Sequence, residues 1–151
     1  MNVGKWFMTL MMACTTIACG NYDPTDPNNS VPDPKGTISL RMRNGMDNAT
    51  ELHVGNIYIY IDNADNFASS SIEYECEFVD MGIMKGLGNV IRIPDSGWAP
   101  KIAVYSGHGY VVRSLDKQSY LRIYVVNYSP YLLYKEFDVK YQYPFNPLSV
   151  W

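Results

Sequence analysis

The sequence predicts a single all-β domain, an antiparallel sandwich or Greek-key barrel of about eight strands, preceded by a segment outside that domain. Three observations predict it. Apolar residues recur at every second position through much of Thr37 to Tyr143. The alternating runs are short and separated by Gly, Asn, Asp, Ser and Pro clusters, and no stretch carries a convincing 3.6-residue apolar stripe. Side chains on a strand point alternately to opposite faces, so such runs are half-buried antiparallel strands. Many short strands with regular turn signals indicate a sandwich or barrel.

In chain order, Ile38-Ser39-Leu40-Arg41-Met42-Arg43 is the first alternating run. His53 opens a strand, and Ile57, Ile59 and Ile61 then alternate with Tyr58 and Tyr60. Residues 63–70 read as a turn of helix at most. In Ile72-Glu73-Tyr74-Glu75-Cys76-Glu77-Phe78 one face is apolar and the other all glutamate. Val90–Ile93, Ile102–Tyr105 and Tyr110–Arg113 follow; Leu121, Ile123 and Val125 then alternate with Tyr120, Arg122 and Tyr124. Last, Phe137, Val139, Tyr141 and Tyr143 oppose Glu136, Asp138, Lys140 and Gln142. Gly86–Arg92 matches Gly107–Arg113 in register, which reads as two similar turn-to-strand passages. Glycine before a strand allows positive φ or a close backbone approach.

The N-terminus carries a different signal. Lys5 is followed by an apolar run from Trp6 to Ala18, the charged and hydrophobic regions of a secretory signal. The run is shorter than the roughly 20 residues a membrane span needs. Thr16-Ile17-Ala18-Cys19 resembles a bacterial lipobox, with Thr16 departing from the usual leucine. Met11-Met12-Ala13-Cys14 is the rival, but it leaves a shorter hydrophobic region. Residues 1–18 are therefore read as signal peptide and Cys19 as the lipidated residue. Residues 19–35, with Pro24, Pro27, Pro32 and Pro34 among polar residues, are read as a tether. About 16 residues in extended polyproline form would reach up to about 50 Å. The domain is residues 36–151, and roughly 115 residues suffice for one core.

Composition narrows the function classes. Losing residues 1–18 removes Lys5 and no acid, which leaves 11 basic and 15 acidic side chains, a net charge of −4. No basic run occurs, so a nucleic-acid partner is not expected. Of the three cysteines only Cys76 lies in the domain, so disulfides are not expected to hold it. Thirteen tyrosines against five phenylalanines suit half-buried strands and contact surfaces.

Several motifs recur together: Gly36–Leu40, Lys85–Val90, Gly97-Trp98-Ala99, Gly109-Tyr110-Val111, Tyr120–Val125 and the ending Val139–Phe145. The set resembles a family of uncharacterised lipoproteins from Bacteroides-type gut bacteria, known only as a domain of unknown function. The resemblance covers nearly the whole domain. It implies an exported, lipid-anchored β domain and brings no activity, substrate or catalytic residue.

Tests for chemistry return bland readings. Cys76 alternates with glutamates on the apolar side of a strand and reads as a small buried hydrophobe. His108 lies between glycines at an exposed turn, and no nucleophile elbow accompanies it or His53. Asp62-Asn63-Ala64-Asp65-Asn66 offers oxygens for calcium but is ordinary turn chemistry. Glu73, Glu75 and Glu77 on one strand face match glycosidase spacing but read as a solvated edge. Gly86-Leu87-Gly88 precedes a strand, not the helix a phosphate site needs. No catalytic residue, metal site or cofactor is assigned. The candidate ligand or partner surface is aromatic: Tyr58, Tyr60, Trp98, Tyr120 and Tyr124, whose rings could stack on sugars or anchor a protein. The expectation is a non-catalytic binding or interaction module, held to a bilayer through acylated Cys19 in a Gram-negative envelope, with a glycan or protein ligand. A structural subunit exchanging Phe137–Tyr143 or the Pro-Phe-Asn-Pro tail is the alternative; an envelope hydrolase ranks behind both.

Overall fold

The computed structural model describes residues 29–44, 49–69 and 72–147, so the stretch read as a signal peptide and Cys19 lie outside the described residues. Among the described residues nine strands form where about eight were expected: β1 (Ile38–Asn44), β2 (Leu52–Val54), β3 (Ile57–Ile61), β4 (Asn66–Ser69), β5 (Cys76–Ile83), β6 (Lys101–Ala103), β7 (His108–Ser114), β8 (Tyr120–Pro130) and β9 (Lys135–Gln142). They make two antiparallel sheets, one ordered β1-β9-β8-β7-β5 and one ordered β2-β3-β4-β6. The two pack face to face as an open sandwich.

The alternating residues meet between the sheets. Met42, Phe137, Val139, Leu121, Ile123, Val125, Val112 and Phe78 of the larger sheet face Leu52, Ile57, Ile59, Ile61 and Phe67 of the smaller. Fully burying one such side chain contributes about 1.5–3 kcal/mol. Tyr110 crosses the gap. Its ring meets Phe67 edge-on at 5.1 Å, and its hydroxyl accepts from the Tyr105 N–H at 2.8 Å and donates to the Ala103 carbonyl at 3.1 Å. Burial pushes its phenol pKa well above the ordinary value.

A second cluster covers the outer face of the five-stranded sheet. Val79, Val90, Val111 and Phe145 are buried there, with Trp98 and Tyr120 packed against them. Its centre is Arg122, 1% exposed. The guanidinium donates from Nη1 to the Val90 carbonyl at 2.7 Å, and from Nε and Nη2 to Gln142 Oε1 at 2.8 and 2.5 Å. The Phe145 ring centroid lies 4.7 Å from it. Burial pushes its pKa down to about 10, which leaves it a cation at neutral pH. Gln142 in turn donates to the Lys35 carbonyl at 2.8 Å. Residues 29–35, part of the stretch read as a tether, are docked on this face. The Asn29 carbonyl accepts from Asn89 at 2.5 Å, Asp33 pairs with Lys140 at 2.6 Å, and a Cβ at Gly88 would sit 2.9 Å from the Val31 side chain.

Four expectations change. Val90–Ile93 is not a strand but a loop after a 3-10 turn at Leu87–Asn89; Val90 is buried by packing on the sheet rather than by pairing in it. The likeness of Gly86–Arg92 to Gly107–Arg113 therefore holds for glycine placement alone, since only the second leads into a strand. Residues 66–69 are β4, paired with β3 and β6, not helix. Ile72–Tyr74 is a 3-10 turn, which leaves Glu77 alone of the three glutamates on β5. In addition, β9 is paired on both sides and Phe145 is buried, so neither proposed exchange segment is free.

The acidic loop before β4 is turn chemistry. Asp62 Oδ1 accepts from the backbone N–H groups of Ala64 and Asn66, each at 2.9 Å, and Oδ2 pairs with Lys101 at 2.9 Å. Asp65, at φ 60, holds Asn44 at 2.8 Å and Lys135 at 2.5 Å. Burial of Asp62 opposes its ionisation, but the Lys101 and Asn66 bonds outweigh that and hold its pKa below the ordinary 3.8.

Two outcomes follow for stability. Arg122→Lys keeps a buried cation without the forked donors and is expected to lower the unfolding free energy by about 3–5 kcal/mol, whereas the uncharged Arg122→Met should cost less. Urea denaturation at pH 7 ranks them, and a lysine variant as stable as the parent would refute the role of the fork. Because the folded pKa of Asp62 is depressed, its contribution is present above pH 3.8 and is lost as pH falls through the lower folded value. The gap in thermal midpoint between the parent and Asp62→Asn should therefore close in acid.

Candidate functional site

Among the described residues, the outer face of the four-stranded sheet has no covering loop comparable to residues 84–98 on the other sheet. Tyr60 of β3 stands opposite Ala68 of β4, which stands opposite Lys101 of β6. A small residue between two long ones leaves a trough. It continues past Ser69 to Glu75, Cys76 and Glu77, with Ile72 and Leu115 at its rim, and encloses about 580 Å³. The rim is apolar and exposed, with Ile72 at 83% and Leu115 at 57%. Its charges are partly tied down: Lys101 to Asp62 at 2.9 Å and Glu77 to Arg113 at 2.6 Å.

Beside the trough lies an aromatic cluster. His53 meets Tyr58 edge-on at 4.9 Å and Tyr74 at 5.5 Å, and Tyr58 and Tyr74 are 6.1 Å apart. The Tyr58 hydroxyl donates to Glu51. Tyr58 and Tyr60, two positions apart on one strand, share this face. Rings beside an amphipathic trough offer flat apolar surfaces for stacking and polar groups to orient what stacks.

The five aromatic residues singled out in the sequence divide between two surfaces. Tyr58 and Tyr60 belong to the trough face. Trp98, Tyr120 and Tyr124 belong to the outer face of the other sheet, where the first two serve packing. Trp98 lies 6.4 Å from Tyr120, carries the Arg113 guanidinium at 4.2 Å, and donates from Nε1 to the Pro94 carbonyl at 3.1 Å. Tyr124 is half-buried between Gly109 of β7 and Lys140 of β9. Sequence reading missed Tyr74, Ile72, Lys101 and Leu115. They come from three segments, the Ile72–Tyr74 turn, β6 and the β7–β8 turn, and only the fold brings them to Tyr60.

The remaining reactive groups have structural roles. Cys76 is buried at 2%; its thiol donates to the Tyr74 carbonyl at 3.2 Å, and burial pushes its pKa up. His108, expected at an exposed turn, is half-buried at the start of β7. Its Nδ1 lies 3.0 and 2.9 Å from the two Asp80 oxygens, and Tyr105 and Tyr110 flank the ring. Asp80 also accepts from the Gly82 N–H at 2.7 Å, where the β5–β7 register shifts. The pair holds a bulge.

No curated protein and no solved structure matches the chain. Residues 39–121 match a family profile. That span is more than half of the chain and includes every residue lining the trough, from Tyr60 to Leu115. It stops short of β9, which joins β1 to β8. The sandwich and its open face thus belong to the family described as a domain of unknown function (DUF5036).

Proposed function

We propose that this chain is an exported lipoprotein of a Bacteroides-type Gram-negative envelope, anchored through acylated Cys19, and that it works as a non-catalytic binding module. Its ligand surface is the trough face: Tyr58, Tyr60 and Tyr74 with Lys101 and Glu75 alongside. The carrying observation is the contrast between the two outer faces. One is sealed by a loop and by Phe145; the other leaves tyrosines beside an open trough of about 580 Å³. An extended glycan or peptide suits such a trough, since rings stack on flat apolar faces and the charged rim fixes orientation. The leader and the cysteine after Ala18 support export and anchoring.

A hydrolase is the second reading, because Glu75 and Glu77 both line the trough. Glu77 is held in an ion pair with Arg113 at 2.6 Å, so Glu75 is the carboxylate this reading puts to the test.

The test applies the mature chain to a glycan array and to envelope extracts. Tyr60→Ala and Tyr58→Ala are expected to weaken capture about tenfold or more, near 1.4 kcal/mol each, without altering the thermal midpoint by more than a few degrees. Equal capture by parent and variants would remove the trough from the proposal. Cleavage of a captured glycan, abolished by Glu75→Gln, would replace binding with hydrolysis. Mass spectrometry of envelope protein should find Cys19 acylated at the new N-terminus.

A further inference from the structure

The hairpin joining β8 to β9 ends in an apolar point. The Tyr131 N–H donates to the Tyr134 carbonyl at 2.9 Å, which closes a loop whose two central residues are Leu132 and Leu133. They are 98% and 87% exposed. Two-residue hairpin loops draw on Gly, Asn and Asp for left-handed backbone. Neither leucine is among the positive-φ residues, and neither belongs to either apolar cluster. Among the described residues nothing packs these two adjacent leucines away from water.

Behind the point, the rings of Tyr131 and Tyr134 stack at 4.8 Å, and the Arg43 guanidinium lies 4.4 Å from the Tyr134 ring. Along the hairpin axis the order is aliphatic apex, tyrosine collar, then the ion pair of Arg43 with Glu136 at 2.5 Å. Apex and collar match the depth profile of a membrane surface, with hydrocarbon below and tyrosine at the interface, and the charged pair stays at the level of the headgroups. A protein partner fits less well, since a stable interface takes about 800 Å² from each side and a two-residue point offers far less.

We infer that the Tyr131–Tyr134 hairpin tip dips into the surface of a phospholipid bilayer, a second contact for the chain whose anchoring is proposed above, on which this inference rests. Alone, two leucines hold weakly; beside a covalent anchor the contact becomes intramolecular and orients the domain. The reach is sufficient. Asn29 is fixed beside Asn89, and the neighbouring Val90 is fixed to Arg122 near the start of β8. The ten residues from there to Leu132 span roughly 33 Å at most, and the ten from Cys19 to Asn29 extend to about 35 Å. Anchor and tip can therefore meet one membrane plane.

The test uses the acylated full-length mature chain in phosphatidylcholine/phosphatidylglycerol vesicles whose acyl chains are brominated. Indole fluorescence, read as the increment over the parent with its own Trp98 and Trp151, is compared for Leu132→Trp at the tip and Gln118→Trp in the β7–β8 turn at the other end of β8. Quenching at the tip at least threefold greater, relieved when Leu133→Glu is added, is the expected result. A chain that sediments with the vesicles but quenches equally at both sites overturns the tip contact and leaves the anchor standing. One that does not sediment overturns both. Concentration-dependent self-association abolished by Leu133→Glu would assign the tip to a second copy instead and overturn the membrane contact.

Discussion

The outer face of the five-stranded sheet is organised by one buried cation. A guanidinium taken out of water needs its donors satisfied and its desolvation offset, and Arg122 has no carboxylate within its hydrogen-bond set. Its partners are a loop carbonyl, a glutamine oxygen and a phenylalanine ring. Each comes from a different part of the chain: the loop after β5, strand β9, and the tail. Through Gln142 the same network reaches the backbone of Lys35. The segment entering the domain, the long loop and the C-terminal tail are therefore held at one point. Planar, always-charged arginine suits this task, because its fork can satisfy two acceptors at fixed angles where lysine cannot.

That closure makes the two halves of the sandwich unequal. Once Arg122, Trp98 and Phe145 are packed, the larger sheet has little apolar surface left to offer on that side, and its β1–β9 end is a lattice of ion pairs such as Arg41 with Asp138 and Arg43 with Glu136. The smaller sheet keeps its tyrosines and a trough in water. Residues of the same type thus have opposite fates. Tyr120 packs under the loop, while Tyr58 and Tyr60 remain available, and the difference lies in what covers each sheet and not in the strands themselves. The exposed leucines between β8 and β9 stand at a third place, on the end of the longest strand, separate from both faces.

Much of this was legible beforehand. Strict alternation in Ile57–Ile61, Tyr120–Val125 and Phe137–Tyr141 determined that these segments are strands and which side of each faces the core, because backbone pleating fixes side-chain direction two residues at a time. The burial of Cys76 follows from the same rule. The counts of acidic and basic residues determined the charge balance without any fold at all. Strand β4 was not legible, since Asn66-Phe67-Ala68-Ser69 is too short to show a period, and Val90–Ile93 was misleading, since an apolar run can be buried by covering a sheet as well as by joining one. The trough, the split of the five aromatic residues and the Arg122 network were decided only by tertiary structure. Local periodicity sets the face a side chain takes; which strands become neighbours, and which loop lies over them, is set by contacts between residues far apart in the chain, and a single sequence does not encode those contacts in any local pattern.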